Sequence, residues 1–320
     1  MKMRREMLVM MIICEFMIGF SKAQLRVGFY NNVCPNAESI VGGFVRDAAK
    51  SDSHIPAIML RLHFHDCFVE GCDGSILIDG VKSQEKSAFG HQGVQGFDVI
   101  ENAKAKLESV CPGVVSCADI VAMAARDAVA ISHGPAYEVE TGRKDGLVSN
   151  VELADRLPDV KDSIQLLKQK FFEKGLNDKD LVLLSAAHTI GTTACFFMTQ
   201  RLYNFKEGGG FDPSINPSFL PELTSTCPKG GDVNLRLPMD RGSGETFDNQ
   251  ILQNIRSGLA VLQSDAQLMD DPTTKGIVNS YFETGASFEA DFVNSIVKMG
   301  RIGTKDSSNG NIRRVCSSFN

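Results

Sequence analysis

The chain has 320 residues and a mass of 34.8 kDa, with 43% hydrophobic and 22% charged side chains. That is the balance of a soluble globular protein long enough for one large core or two lobes sharing a cofactor. A net charge of −6 without a basic cluster excludes a nucleic-acid binder, and no apolar run is long enough to span a membrane.

The first 23 residues read as a secretory signal peptide. Lys2, Arg4 and Arg5 open it, Met7 to Phe20 is mostly apolar although Glu15 interrupts the run, and Ser21-Lys22-Ala23 offers small residues for cleavage. Removal after Ala23 leaves Gln24 as a terminus able to form pyroglutamate. Four cationic and two anionic residues leave with the signal, so the formal charge moves to −8. Cys14 leaves too, and Cys34, Cys67, Cys72, Cys111, Cys117, Cys195, Cys227 and Cys316 remain. An even set in an exported chain reads as four disulfides, with roughly a hundred connectivities open. Asn216 is followed by Pro217, so no standard N-glycan site is expected.

Further along, Arg61, Phe64 and His65 stand at i, i+3 and i+4, and on a helix they share one face. A guanidinium and an imidazole beside an aromatic wall suit proton handling. His63 points roughly 200° away from His65, which makes it a core histidine and rules out a zinc pair. Asp66, Asp73 and Ser75 then offer side-chain oxygens, and Val69 and Gly71 carbonyls, in a turn pinched by Cys67 and Cys72. Such a set suits calcium better than zinc. Helical periodicity follows in Phe97, Ile100, Ala103 and Leu107, in Ile120, Ala124 and Ala128, and in Ile164, Leu167 and Phe171. A short strand signal lies at Tyr137 to Val139. Leu181 to Ile190 reads as another apolar helix, with Asp178 and Asp180 near its start. Within it, Ser185, Ala186 and Ala187 precede His188 and leave room for a flat macrocycle. Glycine runs at 208–210 and 230–231 mark loops, and Phe288, Phe292 and Ile296 close the helical pattern. By themselves Asp265 is a solvated loop acid and Pro158 an ordinary loop proline.

The run Leu60-Arg61-Leu62-His63-Phe64-His65-Asp66-Cys67-Phe68 resembles the distal-helix signature of the plant secretory (class III) haem peroxidases. Leu184-Ser185-Ala186-Ala187-His188-Thr189-Ile190-Gly191 resembles their proximal motif, and markers follow in order over residues 24–316. The resemblance implies one domain over residues 24–320: a mostly α, two-lobed haem peroxidase fold with minor β and haem b between distal and proximal helices. It implies His65 as proton acceptor and donor, Arg61 as transition-state stabiliser and Phe64 as distal wall. His188 becomes the axial iron ligand, and Asp265 the carboxylate on its other ring nitrogen. Two calcium ions are implied, one held by Asp66, Val69, Gly71, Asp73 and Ser75, the other by Thr189, Asp240, Ser243, Thr246 and Asp248. Pro158 resembles the proline at the reducing-substrate entrance. The implied disulfides are Cys34–Cys111, Cys67–Cys72, Cys117–Cys316 and Cys195–Cys227. The implied activity is reduction of hydrogen peroxide to water with one-electron oxidation of phenolic or other aromatic donors, as a monomer secreted to the cell wall or apoplast. A chain ending four residues after Cys316 fits the extracellular space.

Some positions depart from the family pattern. Most relatives have an asparagine beside the distal histidine; here the loop from Ser87 to Gly93 carries His91 near that place and is one residue shorter. His91 or Gln92 is therefore expected to accept the Nδ1 proton of His65, and a protonated His91 would repel a protonated His65 and shift the acid limb of activity. Tyr137 stands where a tryptophan is usual, and Ile58 and Ala194 lack polar groups that some relatives use near the haem propionates. Two other readings fare worse. A non-catalytic, calcium-stabilised wall protein would have lost Arg61, His65 or His188. A secreted hydrolase pairing His65 with Asp66 would need adjacent helix residues, about 100° apart, to converge.

Overall fold

The structure, a computed structural model, describes residues 25–80 and 83–320; the expected signal peptide lies outside them. An N-terminal group of helices comprises α1 (Ala37–Ser51), α2 (Ile55–Phe68), α3 (Phe97–Val110) and α4 (Cys117–Ile131). After a long connection come α5 (Ile164–Glu173), α6 (Asp178–Ser185), α7 (Cys195–Tyr203) and α8 (Leu220–Thr226). The chain finishes with α9 (Gln250–Arg256), α10 (Gln263–Ala266), α11 (Pro272–Glu283) and α12 (Phe288–Met299). The sheet content described is two antiparallel pairs: β1 (Arg26–Val27) with β2 (Glu140–Thr141), and β3 (Thr192–Ala194) with β4 (Arg236–Pro238). The strand thus falls just after the Tyr137–Val139 signal, because Arg26 and Val27 find their partners there.

Helix α2 divides the core. Met59 and Leu62 pack with α1, α3 and α4, while Leu60, Cys67 and Phe68 pack with residues of α5, α6 and α9 to α12. A helix with apolar partners on both sides must be apolar nearly all round, so its polar members Arg61, His63, His65 and Asp66 stand out. Pro56 sits in its first turn, where a missing N–H costs nothing. Of the periodic positions read from the sequence, Ile100, Ala103, Leu107, Ile120, Ala124, Ala128, Ile164, Leu167, Phe171, Phe288, Phe292 and Ile296 are buried, while Phe97 is half-buried. Several starts are capped by side chains. Ser116 accepts from Asp119 N–H at 3.2 Å, and Asn177 forms a reciprocal box with Asp180 at the start of α6.

Buried charges and disulfides tie distant segments to this frame. Asp119 accepts from Tyr30 Oη, Gly142 N and Arg143 Nη1, and Arg143 Nε donates to the Gly300 carbonyl. The N-terminal segment, the strand β2 and the end of α12 are thereby joined through satisfied partners. Cys34–Cys111, Cys67–Cys72, Cys117–Cys316 and Cys195–Cys227 are bonded. Cys117–Cys316 spans 199 residues, for which chain entropy predicts about 5 kcal/mol of stabilisation.

Candidate active site

On α2 the i, i+3, i+4 reading holds. Arg61 Nε donates to His65 Nε2 at 3.1 Å, and its terminal nitrogens donate to the carbonyls of Gln92 (3.1 Å) and Gly93 (2.9 Å). The guanidinium is therefore fixed by the loop after His91. Phe64 lies edge-on to His65, 5.5 Å between ring centres, and packs on Phe68. Burial, then the charge of Arg61, then His91, push His65 well below its ordinary pKa, so the imidazole is neutral and able to take a proton. Burial first, then Arg236, pulls Arg61 down to about 10, which leaves it charged at neutral pH. His63 is buried with Nδ1 3.5 Å from Cys67 Sγ, and desolvation holds it down at about 3, so it is a neutral core residue. His63, Cys67 and Cys72 cluster closely, but both sulfurs belong to a disulfide and cannot serve as thiolate ligands.

The second histidine corrects one expectation. Leu181 to Ile190 is not one helix: α6 ends at Ser185, and Ala186–Thr189 tighten into a 3₁₀ turn carrying His188. Two tertiary pulls explain the tightening. Thr189 Oγ1 is drawn to Asp240 at 2.8 Å, and Ile190 is already extended toward β3. His188 Nδ1 lies 3.0 and 3.1 Å from the two oxygens of Asp265, which leaves Nε2 available to a metal. Its side chain is 34% exposed while Asp265 is 1% exposed. Desolvation lowers the pKa of His188, but the charge and hydrogen bond of Asp265 outweigh it, and the net direction is up. Arg61 also acts on His188 through its charge, which places the two walls within electrostatic reach. At one point the walls touch: a Cβ on Gly191 would lie 2.6 Å from that of Ala57, and its φ of +97° also requires glycine.

Beside each histidine sits an oxygen cluster. On the distal side Asp66 Oδ2 accepts from Gly74 N and Asp73 Oδ1 from Ser75 N, whereas Asp66 Oδ1 and Ser75 Oγ are buried without partners. Orphaned hard oxygens around one turn fit a calcium ion. The Val69 carbonyl accepts from Lys174 Nζ at 2.6 Å, and one lone pair remains for a cation. Gly71, at φ +115°, allows the turn to pass the backbone of Gly303, where any Cβ would clash at 2.5 Å. On the proximal side Thr189, Asp240, Ser243, Thr246 and Asp248 converge. Ser243 Oγ bridges Asp240 (3.2 Å) and Asp248 (3.1 Å), and Thr189 Oγ1 lies 3.4 Å from the Thr246 carbonyl. Burial pushes Asp240 up to about 6.

Sequence reasoning missed two residues here. Glu85 is fully buried, both of its oxygens lack partners, and desolvation pushes it up to about 9 with Asp66 and Asp73 adding to the rise. Nothing local marks it, since an isolated glutamate ordinarily reads as solvated. Arg236 on β4 donates to Thr192 Oγ1 and O, and its charge reaches Arg61. It brings a cation to the strand β3, where it pairs in register with the apolar Ala194. Pro158 is half-buried just after Leu157, whose Cδ1 stands 3.2 Å from where a Cβ of Gly90 would be, on the distal side.

A carboxylate-backed histidine within electrostatic reach of an arginine–histidine pair, in a mostly α frame, is an arrangement suited to an iron macrocycle. Residues 41–284 match the peroxidase family. The chain is 64% identical over 307 residues to Peroxidase 43 of Arabidopsis thaliana, covering 94% of each protein, and 57% identical over 309 residues to Peroxidase 13 of the same plant, covering 95% of each. It is 48% identical over 299 residues to Peroxidase N1 of Nicotiana tabacum, covering 92% of this chain and 90% of that one. The chain therefore belongs to the peroxidase family, in its plant class III branch, and is an enzyme that acts on hydrogen peroxide. Haem is the cofactor the family implies.

Proposed function

We propose that residues 24–320, freed of the signal peptide, form a secreted haem b peroxidase that oxidises phenolic or similar aromatic donors. One peroxide and two donors become two waters and two donor radicals, so each donor gives one electron and one proton. The observation that carries this reading is the pairing of His188 with Asp265 within electrostatic reach of Arg61, which itself bonds His65. Haem, when bound, supplies the iron that takes up the electrons and at which the O–O bond is broken.

The chain's own residues do the rest. His188 would hold the iron through Nε2, and Asp265 keeps that nitrogen electron-rich by accepting the Nδ1 proton. His65 Nε2 takes a proton from the peroxide and returns it to the departing oxygen. Arg61, clamped by two carbonyls, faces the negative charge that develops on that oxygen. Phe64 walls the distal side and keeps donors at the open edge, near Pro158. Two calcium ions would brace the walls, through Asp66, Val69, Gly71, Asp73 and Ser75, and through Thr189, Asp240, Ser243, Thr246 and Asp248.

Four disulfides support an oxidising compartment, for which the cell wall is our reading. Among the described residues no helix is long and apolar enough to cross a membrane. Our reading is a monomer that acts away from membranes. The test is stopped-flow mixing of the haem-loaded enzyme with peroxide, followed by a panel of phenols. A Soret change on peroxide and its reversal by phenols are expected. A Soret band indifferent to peroxide would overturn the reading.

A further inference from the structure

The last stretch of the chain is folded over the turn that carries the distal oxygens. Cys72 N donates to the Ile302 carbonyl, and Asp79 N donates to that of Ser317. Gly303 packs on Gly71 so closely that a Cβ on either would clash. Cationic side chains reach the same turn. Lys174 Nζ donates to the Val69 carbonyl at 2.6 Å, and Arg313 Nη2 to that of Gly74 at 2.5 Å. Lys305 Nζ donates to the Glu70 carbonyl at 2.9 Å and lies 3.4 Å from Asp73 Oδ2.

These cations are not equivalent. Lys174 rests on a neutral carbonyl, and Arg313 has Asp145 beside its Nε at 3.8 Å. Lys305 is the one that meets a carboxylate of the oxygen set read as a calcium site. The pair is largely removed from water, with the Lys305 side chain 20% exposed and that of Asp73 1%. Charges at that depth are screened little, so the ammonium is felt across the turn. Calcium affinity follows the number of charges its ligands carry, and an ammonium held on Asp73 offsets one of them. With three donors, the same ammonium serves both Asp73 and the Glu70 carbonyl. No such partner meets Asp66 Oδ1 or Ser75 Oγ, which are buried and unpaired.

We propose that Lys305 is a built-in counter-cation of the distal calcium turn: it holds Asp73 and Glu70 when the ion is away and lowers the affinity with which the ion returns. This rests on the calcium reading of Asp66, Val69, Gly71, Asp73 and Ser75. The distal ion is thereby made easier to exchange, while the contacts of Cys72 with Ile302 and of Asp79 with Ser317 keep the course of the turn. A purely structural tie predicts the opposite sign. Its removal would loosen the turn and weaken calcium, whereas removal of a counter-cation strengthens it.

The experiment titrates calcium into chelator-stripped, haem-loaded enzyme in competition with a chromophoric chelator. Asp66→Asn identifies the distal binding step as the one it weakens. Lys305→Met should tighten that step about tenfold or more and leave the other unchanged. The same variant should lower the melting temperature of the chelated protein by about 2–4 °C. Lys305→Gln, neutral but still able to donate to the Glu70 carbonyl, should tighten the step as well, and Lys305→Arg, which keeps the charge, should not. Unchanged distal binding in the neutral variants would overturn the inference, and weakened binding would make Lys305 a structural tie instead. Should Lys305→Met fail to fold, the Gln and Arg variants still decide. If Asp66→Asn weakens neither step, the distal calcium reading itself fails and the inference falls with it.

Discussion

His65 and His188 are the same side chain, both within electrostatic reach of Arg61, driven in opposite directions. Around His65 the surroundings are burial, an arginine and a second histidine, all of which disfavour a proton. His188 faces a buried carboxylate that more than offsets its own desolvation. The oxygen clusters beside them differ in the same sense. Distal Asp66, Ser75 and Glu85 leave buried oxygens unpaired, whereas proximal Asp240 is already bonded by Thr189, Ser243 and Asn254. Residue type thus sets the range of chemistry, and the sign and satisfaction of the neighbours select one role within it.

The contrast breaks most sharply at His65. Its replacement by leucine should cut the peroxide rate constant about 10²- to 10⁴-fold while haem stays bound, as stopped-flow and absorption spectra would show. A loss below tenfold would mean that the two histidines are not specialised. Calcium removal comes next. An ion present at a hundred times its dissociation constant stabilises by about 2.7 kcal/mol, and chelation should remove that. The pH dependence has a definite sign. In the metal-free fold Asp66, Asp73 and Glu85 hold protons that the unfolded chain releases above about pH 4. Metal-free stability therefore falls as pH rises from there toward the folded value of Glu85, about 9. The melting gap between calcium-loaded and chelated protein should widen between pH 5 and pH 8, by about that range on the pH scale; a constant gap would count against the distal cluster.

Asp265→Asn tests the other wall. It should lower the pKa of His188 and weaken haem retention about 10- to 100-fold, measured by transfer to an excess of apo acceptor. If haem retention is unchanged, Asp265 is a packing residue. The smallest effect is expected from Cys67→Ala with Cys72→Ala, which opens a loop of separation 5 and should cost about 2 kcal/mol in denaturant titrations. Calcium affinity should drop with it, since the bond pinches the turn that carries Val69 and Gly71.

Much of the distal wall was readable because its information is local. The spacing of Arg61, Phe64 and His65 puts them on one helical face whatever surrounds the helix, and the same spacing removes His63 from the site. Glu85 and Arg236 were not readable, since their importance comes from partners far away in sequence. The 3₁₀ turn at His188 was missed because its cause, Asp240 pulling on Thr189, lies 51 residues away. His91 and Gln92 stayed equivalent in the sequence because both offer an acceptor; in the fold His91 is buried against the ring of His65 and Gln92 is exposed.

Sequence by itself determined the helical periodicity, the inventory of sulfur, imidazole and carboxylate groups, and the one-face cluster on α2. These follow from backbone geometry and residue chemistry, which need no partners. Tertiary structure alone decided which histidine is held neutral and which one is held basic. Those outcomes depend on desolvation and on donor–acceptor matching between groups such as His188 and Asp265, 77 residues apart, and only the folded chain brings such groups together.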